Sequence, residues 1–168
     1  MSSVHLHLIL VHLPIVILPV AVVILGWGIA RHSSAIRTVG LALMIFAGLL
    51  TIPAQLTGEA SEEKVEHLAG VIEHSIENHD DAAELALVGG LIAAALALVS
   101  LLAGNLPLFK RLDPTAMLSA LLAGAIASVL LMRAGYLGGM IRHPEAYSAV
   151  AANSAEGRQA GEAVDEDD

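Results

Sequence analysis

Four long apolar runs, set apart by short polar ones, organise this chain. Nothing charged precedes Arg31; Arg37 and Glu59 bracket a second run, Glu84 and Lys110 a third, and Asp113 and Arg133 a fourth. Each gap holds roughly 20 residues or more, the length that crosses about 30 Å of hydrocarbon at about 1.5 Å per helical residue. The pattern predicts four transmembrane helices near residues 8–30, 36–56, 82–104 and 115–138. Strands would alternate apolar and polar positions, and these runs are continuous. The first run has no Lys or Arg before it and carries Pro14 and Pro19, so it reads as a retained span rather than a signal peptide. Each proline removes a helix hydrogen bond, which predicts a bend in this span.

Residues 59–81 are too charged to enter lipid, yet Val65, Leu68, Ala69, Ile72 and Ile76 recur at helical spacing. The segment is expected to be an amphipathic helix between spans two and three, lying on the membrane surface or capping the bundle. His79 extends its apolar stripe, three residues after Ile76, while His67 and His74 fall on the charged flank. In the later spans Ser119, Ala123 and Ala127, and Gly90 with Ala94, stand at four-residue spacing, which lets helix backbones approach closely. These residues predict tight packing of spans three and four. No internal repeat is evident. The division is a four-span membrane domain over residues 1–145 and a disordered acidic tail over 146–168, too rich in Ala, Ser, Gly and acids to build a core. The fold class is therefore all-α, an integral membrane four-helix bundle.

Composition agrees: 56% of residues are hydrophobic and 15% charged, outside the habit of soluble domains. Charge adds an orientation. Arg31, Arg37, Lys110 and Arg111 all fall on one side of a four-span chain, and short cytoplasmic loops carry the basic excess. Both termini and the 59–81 helix are then extracytoplasmic, in a multi-pass protein of the plasma (inner) membrane. Most of the carboxylates behind the net charge of -9 lie on that outer face, which argues against nucleic acid as a partner.

The histidines follow the same asymmetry. Of the 8, only His32 falls on the basic side. With no cysteine, thiolate sites and covalent haem attachment through CxxCH are excluded, so a metal must be held by nitrogen, oxygen or Met sulfur. His12, His79 and His143 each stand near the outer end of a different span, and His12 and His79 sit among apolar residues where an unpaired ring is costly. They are the candidate metal ligands. His74 and Glu77 are three apart on one helical face, and His67 lies about 10.5 Å from His74 along a helix, too far to share an ion. Arg133 is the one basic residue inside a span, and Glu84 at similar depth is its expected partner; the alternatives are that Arg133 snorkels to the outer interface or, third, that it holds an anionic cofactor group such as a haem propionate. There is no GxSxG and no phosphate-binding loop, so nothing supports an enzyme.

His7-x4-His12-Leu13-Pro14-Ile15, Thr57-Gly58, His79-Asp80 and the stretch Gly138-Gly139-Met140-Ile141-Arg142-His143-Pro144-Glu145 together make a pattern. It resembles that of the four-span prokaryotic membrane family called domain of unknown function 2231. The likeness covers residues 5–145; the departures are Leu8 for a usual proline, Leu13 for phenylalanine and Asp80 for glutamate, all of which leave the imidazoles in place. The resemblance implies the four-span topology and points to His12, His79 and His143.

The leading functional expectation is a cofactor site at the outer mouth, holding haem b or a transition metal (copper or zinc) and serving electron transfer, with a redox or membrane-complex partner beside the lipid bilayer. The alternative is a cofactor-free structural or accessory subunit whose histidines are hydrogen-bonded. A transporter fits less well, because the spans hold only Glu84 and Arg133 as charged groups.

Overall fold

The computed structural model describes residues 2–65, 73–105 and 113–142. Four helices account for nearly all of them: α1 Ser3–Ala30, α2 Ser34–Val65, α3 Glu73–Asn105 and α4 Asp113–Arg142. Each contains one of the apolar runs, and all four are long and apolar enough to cross a membrane. α1 stays helical through both Pro14 and Pro19. Each helix packs against two others in a closed ring, α1 on α2 and α4, and α3 on α2 and α4. Successive helices are antiparallel: Gly48 of α2 meets Gly90 and Ala94 of α3, while Gln55 further along α2 reaches Asp80 nearer the start of α3.

The core is narrow and made largely of small residues, Ala21, Ala47, Ala86, Ala93, Ala97, Ala120 and Ala127 among them, with Leu18, Leu25 and Met44 filling the wider layers. The outer surface is apolar as well. Val23 is 70% exposed and Ile126 63%, positions that a bundle in water would give to charged side chains. With water absent around the spans, a helix that satisfies its own backbone is the element the environment permits. These are the features of an integral membrane four-helix bundle.

Close approach concentrates where side chains are smallest. A Cβ on Gly48 would run into the Gly90 carbonyl oxygen and stand 2.7 Å from Ala94 Cβ. Gly90 and Ala94 therefore serve the α2–α3 contact. The expected tight contact of α3 with α4 rests instead on Gly89, whose Cβ position is 3.6 Å from Ala127 Cα.

The helices outrun the hydrocarbon. α2 has 32 residues, which at about 1.5 Å each is about 48 Å. The segment expected to form a separate amphipathic helix is divided between neighbours: its first residues prolong α2 to Val65, its last open α3 from Glu73, and 66–72 lie outside the described residues. Extending an existing helix costs less than nucleating a new one. Ile76 of its apolar stripe is buried, while Leu68, Ala69 and Ile72 lie outside the described residues. His67, His143 and the 146–168 tail lie outside the described residues.

At the opposite end α1 turns into α2 through three residues. The N–H of His32 donates to Ile29 O at 3.1 Å and that of Ser33 to Gly28 O at 3.0 Å, the paired bonds that close a helix C-terminus. This requires left-handed backbone at His32, φ 51°, a conformation costing a residue with a Cβ on the order of 1 kcal/mol. Arg31 stacks over Trp27 with its guanidinium carbon 5.7 Å from the ring centroid.

Candidate functional site

The end of the bundle where α1 begins holds two imidazoles turned inward. His7 lies on the face of α1 that continues through Val11, Pro14, Leu18, Ala21 and Leu25, the stripe that fills the core. Its Nδ1 is 2.9 Å from the Ala54 carbonyl oxygen of α2. A carbonyl only accepts, so Nδ1 carries the proton and donates, and in the neutral ring Nε2 keeps the lone pair. Thr57 supports the arrangement, its Oγ1 3.4 Å from the same Nδ1 while it donates to Pro53 O at 2.7 Å. The ring packs against Gly58, where a Cβ would come within 3.1 Å of Cε1.

The second hairpin repeats this joint. His79 of α3 donates from Nδ1 to Ala134 O of α4 at 2.9 Å. Its ring lies on Gly138, where a Cβ would come within 3.0 Å of Cε1. Ala54 and Gly58 stand four residues apart in α2, as Ala134 and Gly138 do in α4. α1–α2 and α3–α4 are thus built alike around one histidine each, a repeat that the sequence does not reveal. Each ring stands so close to its facing glycine that a Cβ there would force it to shift by a few tenths of an ångström.

His7 and His79 line one cavity of about 40 Å³ between the helices. Thr51 and Gln55 add polar groups to its wall, and Pro14, Ala86 and Leu131 close it with apolar surface. Thr51 is committed elsewhere, its hydroxyl donating to Gly48 O at 2.6 Å. Gln55 leads outward: its Nε2 reaches Asp80 Oδ1 at 3.5 Å and Glu59 Oε1 at 3.4 Å. A nitrogen acceptor on each of two rings that line an otherwise largely apolar cavity is suited to water or a soft cation. Donating the other ring nitrogen to a carbonyl is also the usual way a protein orients a metal-binding imidazole.

Of the residues singled out from sequence, His79 is in this cavity and His12 is not. His12 is exposed and its Nδ1 donates to Leu8 O of its own helix. It is five residues beyond His7, about 140° around a helix of about 3.6 residues per turn, so the two cannot face inward together. His143 lies outside the described residues. Arg133 and Glu84 are both exposed, and the expected ion pair between them is not formed; His74 Nδ1 and Glu77 Oε2 stand 3.6 Å apart on the surface. Arg133 does not line the cavity, and its neighbour Met132 is 51% exposed, a setting in which a long basic side chain reaches along the helix toward water. Among the described residues no group of three or more His, Cys, Asp or Glu is placed to hold a metal ion. Depth in the membrane singled out His12; α1 is apolar nearly all round, so its sequence carried no signal for the inward face on which His7 stands.

No protein-family model, curated protein or solved structure matches the chain.

Proposed function

We propose that this integral membrane protein binds a transition-metal ion, copper before zinc, between the Nε2 atoms of His7 and His79. The observation that carries the reading is the matched pair: two rings from opposite hairpins, each oriented through Nδ1 by a backbone carbonyl, at one cavity. Imidazole suits copper and zinc, and copper stands highest in the affinity order of divalent ions. Zinc takes four ligands in structural sites and at least three from protein in catalytic ones. Two nitrogen donors with no carboxylate or thiolate suit copper(I), which accepts linear two-coordination. Haem b is disfavoured by size, since a cavity of about 40 Å³ is far below the roughly 300–1,000 Å³ of pockets that enclose larger ligands. Cycling of copper between two oxidation states would serve one-electron transfer with a partner at the same face.

Titration of the detergent-purified full chain with copper(I), against a coloured chelator that competes for it, tests this. Binding of one copper per chain, with nitrogen neighbours by X-ray absorption, is the expected result. Protein that takes up neither copper nor zinc would sink the metal reading. It would leave the second one, that His7 and His79 are interhelix clasps in a cofactor-free accessory subunit, which their carbonyl hydrogen bonds also favour. A haem absorption band in protein made under haem-replete conditions would restore haem b.

The resemblance to the domain of unknown function 2231 family is part of the same proposal, as is orientation. Arg31 and Arg37 stand at the end away from His7 and His79, which by the basic-loop rule puts the site on the extracytoplasmic side. A phosphatase fused after Asp168 is expected to be active. Activity only from a cytoplasm-dependent reporter at that position would reverse the assignment.

A further inference from the structure

The other end of the bundle holds a larger cavity, about 240 Å³ against about 40 Å³ at the histidines. It lies between α2, α3 and α4, and its polar wall is Ser34, Arg37, Thr38 and Ser100. Ser100 is 1% exposed and its hydroxyl has no hydrogen-bond partner. The other buried hydroxyls behave differently: Thr51, Ser61 and Ser128 each donate to a carbonyl of their own helix, at 2.6, 2.6 and 2.8 Å. A buried hydroxyl left unpaired is costly, and pairing to its own helix was open to Ser100 as to them. Ser100 instead lines the cavity with its hydroxyl unpaired.

Arg37 supplies the charge. Its Nε donates to Ser33 O at 3.4 Å, and Nη1 is 3.9 Å from Met117 Sδ, a weak contact. No carboxylate lies within 4.0 Å of it among the described residues. Most of its donor fork is therefore uncommitted. Arg37 is in the first turn of α2, where the helix dipole is positive and a cation is disfavoured. An anion bound there is attracted by both and relieves the conflict between them. A guanidinium fork with hydroxyl donors is the chemistry that recognises tetrahedral oxyanions.

We propose that this cavity binds a phosphate-type oxyanion, held by the Arg37 guanidinium with the Ser100 hydroxyl at its floor and Ser34 and Thr38 at its rim. The phosphate belongs either to an anionic lipid headgroup at the membrane boundary or to a free ion from the aqueous side.

Thermal melting of the purified full chain distinguishes these, with inorganic phosphate and with dihexanoyl phosphatidylglycerol as separate probes. Saturable stabilisation by inorganic phosphate identifies a free ion, and stabilisation by the lipid alone identifies a headgroup. In either case Arg37→Gln is expected to weaken the response about tenfold, the size of a lost charge-assisted contact. Ser100→Ala is expected to weaken it several-fold while leaving ligand-free protein as stable as wild type or more so, since it removes an unpaired buried group. That combination separates a ligand contact from a folding role. Failure of both probes to bind, or equal binding by wild type and both variants, overturns the proposal.

Discussion

Replacing His7 and His79 together with leucine should abolish copper binding and leave the four-helix bundle assembled. Leucine fills a similar volume against Gly58 and Gly138, so the loss would be of ligands rather than of packing. Each single change is expected to leave one nitrogen donor, too few to hold an ion against competing chelator. Gly58→Ala and Gly138→Ala test the same site without touching a ligand. A methyl group at either position would stand 3.1 or 3.0 Å from Cε1 of the ring, so the imidazole must tilt away from its carbonyl acceptor. Loss of such an orienting partner commonly costs about 10–100-fold in metal affinity. His12→Leu, on the outer face, should change nothing. Wild-type copper affinity in the His7, His79 double variant would place any metal elsewhere. Loss of melting temperature in the single variants without any metal effect would support the clasp, whose hydrogen bonds are each worth about 1 kcal/mol.

Gly48→Val should be the most disruptive single change in the bundle. Lipid offers no hydrophobic drive for one helix to join another, so association rests on close packing and interhelical hydrogen bonds. At Gly48 the α2 and α3 backbones approach closely, and a side chain there meets the Gly90 carbonyl, which cannot swing aside as a side-chain end can. Overpacking of a well-filled core costs about 1–3 kcal/mol and more when the backbone must move, so about 3 kcal/mol or above is expected. The control is Gly26→Ala, where the nearest atom to a new Cβ is Leu121 Cδ1 at 3.9 Å. There the better helix propensity of alanine should hold stability level or raise it. Both are read by thermal melting in detergent. A Gly48→Val protein that melts with wild type would show that α2 and α3 are less closely joined than this packing requires.

What the amino-acid order settled by itself was the spans. Whether a stretch crosses hydrocarbon depends on its own length and polarity, which are local, so the four apolar runs between Arg31, Glu59, Glu84, Lys110 and Arg133 were readable without any knowledge of packing. The stripe argument worked at His79 for a related reason. The polar residues around Ile76 and His79 make one helix face stand out, and that face is the one that packs inward.

In α1 the same reasoning had nothing to act on. The helix is apolar nearly all round, lipid outside and protein inside being equally oily, so no periodicity marks its inner face. Depth favoured His12 over His7, and only the contact with α2 decided that His7 turns inward to the Ala54 carbonyl. Tertiary structure alone also showed the repeated joint, because Ala54 with Gly58 and Ala134 with Gly138 are unexceptional pairs in a chain with 15 glycines until a histidine lies across each. Arg37 is a parallel case. As a letter it reports which side of the membrane the turn is on, whereas its cavity exists only because Ser100, far along the chain in α3, is packed beside it with a hydroxyl its own helix does not satisfy. Hydropathy is a property of a segment, but a site is made by residues from several segments, and in lipid the face each segment turns toward the others is set by shape rather than by polarity.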